Sequence, residues 1–235
     1  MNLILLFPED FVAKNRVRLQ DRRYKHIQGI LKSTIDDELC VGLLNDKIGT
    51  GKIIAFENDG IELKVCLTDS PPKPLAVTLI LCCPRPIVLK RLFSSITSLG
   101  VKKLILLQSF RVEKSFWKSP VLEEGKIEEQ LILGLEQAKD TIMPEVILRK
   151  RFKPFVEDEL PEVIKGTTPL VAHPQGVQGY SRSFDEPMTL MIGPEGGFVP
   201  YEIEQLEKIG FKSIKLGERV LRVETAVSVL LGMVL

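Results

Sequence analysis

The 235-residue sequence predicts a small β-rich barrel over 1–70 followed by an α/β domain with a mainly parallel sheet over 75–235. Three observations carry this. Short strand candidates broken by turn residues dominate the first part. Asp69-Ser70-Pro71-Pro72-Lys73-Pro74 then interrupts regular structure and reads as a stiff linker. Beyond it, apolar runs of strand length alternate with segments of helical spacing.

In chain order, Leu3 and its neighbours up to Phe7 are apolar but too short for a signal-peptide core. Tyr24, Ile27, Ile30 and Leu31 share one face of a helix predicted over 21–32. Strands follow at 39–44, 52–56 and 61–67, with turns at Asn45-Asp46-Lys47 and Asn58-Asp59-Gly60. After the linker, 76–83 reads as a strand buried on both faces. A helix over 87–99 ends at Gly100, a natural C-terminal cap, and a strand at 103–107 follows. The pattern continues with a long helix over 122–139 and strands at 170–172 and 188–192. It closes with a helix over 200–209, a strand at 213–216 and a last, buried helix over 222–235.

With 32 basic and 31 acidic residues the net charge is +1, which argues against a dedicated non-specific nucleic-acid binder but leaves room for a local basic stripe. The four cysteines, Cys40, Cys66, Cys82 and Cys83, form no C-x-x-C pair, and there are only two histidines, so no metal site is expected. Cys82 and Cys83 read as core, and reduced thiols suit a cytoplasmic protein. The terminal apolar run at 227–235 is too short to span a membrane.

Two segments carry candidate chemistry. In Met191-Ile192-Gly193-Pro194-Glu195-Gly196-Gly197-Phe198 a strand runs through a glycine-rich loop towards a helix. Glycine lets backbone approach a ligand, and a helix start offers free N–H groups. The G-x-G-x-x-G spacing is absent, and the Gly-Lys pairs at 51–52 and 125–126 lack the rest of a P-loop. Alone, this is a tight strand–helix turn. In Leu216-Gly217-Glu218-Arg219-Val220-Leu221-Arg222-Val223-Glu224-Thr225-Ala226 a strand ends at glycine, and Glu224 lies in the first turn of the next helix, where the dipole favours it. Alone, this is a capped helix with a solvated charge pair.

Together the two segments resemble the family of 16S ribosomal RNA uridine-N3 methyltransferases (the RsmE family) of the SPOUT superfamily. The resemblance implies a C-terminal SPOUT domain with a deep trefoil knot over about 168–235, preceded by a PUA-like RNA-binding β-barrel, and a homodimer. It implies that S-adenosylmethionine lies in three loops. These match Ala172, His173 and Pro174; Gly193, Pro194, Glu195, Gly196 and Gly197; and Leu216, Gly217, Leu221, Thr225 and Ala226. Backbone at Leu216 and Leu221 would contact adenine, while Gly193 and Gly197 would leave room for ribose and methionine.

Methyl transfer from a sulfonium is an in-line displacement that needs alignment and no metal. Uridine N3 must lose its imide proton, and a nearby cation favours that loss. Arg222 is therefore the candidate stabiliser of charge on the uracil oxygens. Glu224 is the candidate partner of Arg222 or proton acceptor. N3 lies on the Watson–Crick edge, so the base must be unpaired or flipped out. Arg22, Arg23, Lys25, His26 and Lys32 are candidate RNA contacts, with Arg16 and Arg18 as further cations; the same residues read equally as a solvated face. The expected partner is ribosomal RNA or the small ribosomal subunit. Departures from the family pattern fall on the RNA side: Asn2 and Leu3 replace an expected arginine, Ser98 a glutamate, Asp140 an arginine, and Lys32 stands for arginine. Three alternatives stay open: a SPOUT enzyme for another RNA site, an RNA-binding module that keeps the knot without the chemistry, and an unknotted nucleotide-binding α/β protein.

Overall fold

The computed structural model describes residues 2–178 and 186–235. The chain divides into two compact units, Met1–Lys73 with Ile132–Met143, and Pro74–Leu131 with Pro144–Leu235. The cut between Lys73 and Pro74 lies inside the proline-rich stretch, while the segment 132–143 belongs to the first unit despite its position in the chain.

The first unit contains strands Ile4–Leu6 (β1), Phe11–Ala13 (β2) and Arg16–Leu19 (β3), the short helix Arg22–His26 (α1), and strands Glu38–Leu43 (β4), Ile48–Glu57 (β5) and Gly60–Asp69 (β6). They form one six-stranded sheet in the order β1-β4-β5-β6-β3-β2, antiparallel except for β1 against β4. β1 explains the apolar N-terminal run. Ile4 and Leu6 join a core with Val17, Leu19, Ile27, Val41, Ile53, Ile61 and Leu63, whereas Leu3 and Leu5 pack with Leu135. Strand side chains alternate in direction, so a strand covered on both sides needs apolar residues at every position.

The helix predicted over 21–32 differs. Asp21 caps α1 by accepting the Arg23 N–H at 2.8 Å, but Ile27–Leu31 is a π-turn that ends at Lys32 in the left-handed region, φ 53°. The wider turn rotates the last apolar residues off the core face: Ile27 is fully buried while Ile30 is 70% exposed.

The second unit starts with Val77–Cys82 (β7), Pro86–Ser98 (α2) and Lys103–Leu107 (β8). Helix Glu124–Ala138 (α3) follows, its last turns lying in the first unit. Next come Glu145–Arg149 (β9) and the helical pieces Phe152–Pro154 (α4) and Leu160–Val163 (α5), joined by a π-turn at Phe155–Glu159. Thr168–Gln178 (β10), Met188–Ile192 (β11), Pro200–Lys208 (α6), Lys212–Lys215 (β12) and Val223–Gly232 (α7) complete it. The sheet is parallel throughout, in the order β12-β10-β11-β7-β8-β9. All five residues of β11 are buried, as the apolar run requires. α2 contributes Leu89, Leu92, Phe93 and Ile96 to the core, and α7 contributes Val223, Ala226, Val227, Leu230 and Leu231. Cys82 and Cys83 are fully buried. Among the described residues no helix is long and apolar enough to cross a membrane.

Candidate active site

In an open parallel sheet, ligands bind beyond the carboxyl ends of the strands, where the strand order reverses. Here β7, β8 and β9 run outward in one direction and β11, β10 and β12 in the other, so the reversal lies between β7 and β11. The three segments singled out in the sequence meet at this edge. Ala172 pairs with Ile192 on one side and with Ile214 on the other, so Ala172, the loop after Ile192 and the loop after Lys215 leave neighbouring strands.

The first segment is not a loop. Ala172, His173 and Pro174 lie within β10, whose register against β12 shifts between Ala172 and Val177. Gly176 sits in this irregularity, and a Cβ there would lie 2.6 Å from the backbone of Ile214. The extra residues let the chain keep pairing while bending over its neighbour. His173 Nδ1 accepts the Gln175 N–H at 3.3 Å. Burial holds the imidazole below its ordinary pKa against an opposing pull from Glu207, so the ring is neutral at pH 7. An adjacent open hollow of about 530 Å³ is lined by Gln175, Gly176, Glu207, Phe211, Ser213 and Ile214, among others. None of the residues expected to hold a cofactor lines it.

The second segment is tightly tied down. The Gly197 N–H donates to the Pro194 carbonyl at 2.8 Å, with Gly197 at φ 71°. Glu195 accepts the Arg85 N–H, at the start of α2, at 3.0 Å. The Arg111 guanidinium donates to the Gly196 carbonyl. Beneath the loop, the carboxylate of Glu202 is 2% exposed and accepts two backbone N–H groups, Val199 at 3.0 Å and Phe110 at 2.7 Å. Loops after β7, β8 and β11 are thus bonded into one frame. Arg85, Phe110 and Arg111 were not singled out in the sequence. Glu202 alone had a local signal, as an acid in the first turn of a helix.

The third segment is open. Gly217 has φ 128°, and among the described residues the backbone from Gly217 to Leu221 makes no hydrogen bond. Leu216 and Leu221 are half-buried, Thr225 is exposed and Ala226 buried. Arg222 is the N-cap residue of α7; its side chain is exposed and makes no ion pair with a described residue. Glu224 is half-buried. Among the described residues no hydrogen bond or ion pair joins Arg222, extended at φ −66° and ψ 155°, to Glu224 in the first turn of α7.

The expected RNA contacts separate into two groups. Arg23 is a structural residue. It is 4% exposed, and its guanidinium donates to Asp10 at 2.6 and 2.7 Å, to Asp21 at 3.0 Å and to the Leu5 carbonyl at 2.6 Å. Its partners in the core leave it no donor for phosphate. Arg22 forms a two-pronged pair with buried Glu136, both bonds 2.9 Å. Lys25 and Lys32 are exposed, and His26 is half-buried with its Nε2 lacking a partner among the described residues. At the departure positions, Ser98 bonds back to the Ser95 carbonyl at 2.8 Å, and buried Asp140 accepts the Ile142 N–H at 3.0 Å.

Residues 71–235 match the family model of the RNA methyltransferase domain. The chain belongs to the RNA methyltransferase domain family. Similar relatives of this methyltransferase are the ribosomal RNA small subunit methyltransferase E 1 of Borreliella burgdorferi, 25% identical over 233 residues (96% of this chain, 94% of the relative), and ribosomal RNA small subunit methyltransferase E of Treponema pallidum, 26% identical over 233 residues (96% and 87%). Its fold is shared with ribosomal RNA small subunit methyltransferase E from Neisseria gonorrhoeae, solved bound to S-adenosyl methionine, with TM-score 0.78, 20% identity and coverage of 99% and 96% of the two chains.

Proposed function

We propose that this RNA methyltransferase transfers the methyl group of S-adenosylmethionine to N3 of a uridine in 16S ribosomal RNA. One observation carries the reading: the segments at Ala172–Pro174, Gly193–Gly197 and Leu216–Ala226 converge on the carboxyl edge of three adjacent strands. The full-length likeness to small-subunit methyltransferase E relatives supports ribosomal RNA as substrate.

The residues present fit the methyl donor. Gly197 and Gly217 occupy positive φ with no heavy atom within 4 Å of a would-be Cβ, so backbone is bare on both sides of the edge. The unbonded backbone from Gly217 to Leu221 offers donors and acceptors to an adenine ring. When bound, S-adenosylmethionine supplies an already activated methyl group. The chain's task is then alignment and proton control. Gly193, Pro194, Glu195, Gly196 and Gly197 form one wall. Leu216, Gly217, Leu221, Thr225 and Ala226 form the other, and Ala172, His173 and Pro174 close the base. Exposed Arg222 places positive charge where a uracil oxygen gains negative charge as N3 loses its proton, and Glu224 receives that proton.

In the same reading, 1–70 is a PUA-like RNA-binding barrel presenting Arg22, Lys25, His26 and Lys32, 75–235 is a SPOUT domain knotted over about 168–235, and the enzyme is a cytoplasmic homodimer. Exposed Val220, Val229 and Leu235 around α7 are apolar surface that a second copy would cover.

Calorimetry with S-adenosylmethionine and nucleoside mass spectrometry of ribosomal RNA from a deletion strain test the reading. Loss of 3-methyluridine supports it; donor binding with 3-methyluridine retained moves the enzyme to another RNA site. Arg222→Ala is expected to abolish transfer while keeping donor affinity, and normal turnover removes Arg222 from the mechanism.

A further inference from the structure

A basic and aromatic surface lies at the same edge of the parallel sheet. Leu107 and Arg149 are the last paired residues of β8 and β9, so the segments 108–118 and 149–153 leave neighbouring parallel strands side by side. The Gln108 N–H donates to the Arg149 carbonyl at 2.8 Å, and the Gln108 side chain donates to the carbonyls of Ser109 and Val112, at 2.7 and 2.8 Å. The two segments are thereby a single fixed platform. Together they hold seven cations and one acid, Glu113, a net of +6 in a chain whose total is +1. Arg149 is paired with Glu159 and Lys153 lies near Glu157, but Lys114, Lys118 and Arg151 are exposed and form no ion pair with a described residue.

Aromatic rings are set among these charges. Phe110 is 79% exposed although its backbone is anchored by Glu202. Trp117 is half-buried, with Lys150 Nζ 5.9 Å from the ring centroid. Phe116 and Phe152 are also half-buried. The Phe110 backbone is fixed while its ring is open to solvent, and a ring among cations is what an unpaired nucleotide strand uses: bases stack on the ring and phosphates meet the charges. Arg111, which holds the Gly196 carbonyl, joins this platform to the glycine loop.

We infer that the platform formed by 108–118 and 149–153 binds an unpaired RNA strand, with Lys114, Lys118 and Arg151 on phosphates and Phe110 and Trp117 against bases. The inference rests on the methyltransferase reading for the source of that strand, the RNA flanking the target uridine. It provides a second RNA-binding surface, one next to the donor edge.

The test uses the full-length protein and a single-stranded oligouridylate 12-mer. Trp117 is the chain's only tryptophan, so its emission reports this platform alone. Binding should quench it. The Lys114→Ala/Lys118→Ala/Arg151→Ala variant should bind about 10- to 100-fold more weakly at 0.1 M salt, and its log–log salt slope should be shallower by about 2, since each phosphate contact on a single strand contributes about 0.7. Overturning results are oligouridylate binding with unchanged emission, a variant with the wild-type slope, or no RNA binding at all, as a protein-docking surface would give. Parallel calorimetry with S-adenosylmethionine keeps the two readings apart. Quenching without donor binding retains the platform and removes the catalytic reading; donor binding without quenching does the reverse.

Discussion

The Glu202 carboxylate accepts the backbone N–H of Phe110 at 2.7 Å across 92 residues of chain, and so fixes the loop after β8 to the start of α6. Its other oxygen accepts the Val199 N–H at 3.0 Å. One buried anion thus locks the frame on which the glycine loop sits.

Glu202→Gln leaves one of these N–H groups facing an amide donor. Losing a charge-assisted bond in a buried site costs about 2–3 kcal/mol. Urea unfolding should show that loss. Calorimetry should show weaker S-adenosylmethionine binding.

Arg23 is predicted to be essential for folding of the first unit. Arg23→Ala strands Asp10 in the core, a change worth about 3–5 kcal/mol. Arg23→Lys should rescue poorly, because an ammonium cannot donate to two carboxylates and a carbonyl in one plane. Denaturation midpoints of the two variants check both statements.

The same cluster sets an acid dependence. Burial alone would raise the Asp21 pKa, but the hydrogen bonds and charge of Arg23 outweigh it, and the value lies below the ordinary 3.8. A carboxylate with a lowered folded value stabilises the protein above its ordinary value and loses that contribution as pH falls through the folded one. Stability should therefore drop on acidification below about pH 3.8, and less steeply in Asp21→Asn, as read by urea midpoints from pH 6 to 2.

Gly176→Ala pushes a Cβ to 2.6 Å from Ile214 backbone, which has no flexible end to move. The strand irregularity must shift, at a cost of about 1–3 kcal/mol. Thermal unfolding should show the loss, and a silent substitution would mean that β10 does not bend over β12 here.

Thiol reactivity should split the cysteines. Burial pushes the Cys83 thiol up to about 12 and raises Cys82 as well. Exposed Cys66 should react at pH 8 in the native protein, whereas Cys82 and Cys83 should react only on unfolding; mass spectrometry of labelled peptides reads the order.

Much of the α/β half was legible because its elements are strongly patterned. The strands at 103–107 and 188–192 coincide with β8 and β11, and α2 starts at Pro86 and ends before Gly100 as its spacing indicates. β9 was missed because its apolar run is only Val146-Ile147-Leu148 between Glu145 and Arg149, too short to stand out, and this edge strand is only half-buried. β2 and β3 were missed because they are three and four residues long, and β3 alternates with arginines. The π-turn at Ile27–Leu31 left no mark in a pattern that fitted an ordinary helix.

At the edge itself, the glycine loop at 193–197 and the arginine-led segment at 216–226 stood out in the sequence through their joint resemblance to a known family, since each alone reads as an ordinary turn or a capped helix. What local order does not contain is partnership. That Arg23 is held by Asp10, that Arg222 has no ion-pair partner among the described residues, and that Glu202 reaches Phe110 were decided only when distant segments packed together. Periodicity encodes which face a residue turns to the core; the identity of what it meets there depends on sheet order, and strands far apart in the chain become neighbours only in the folded sheet.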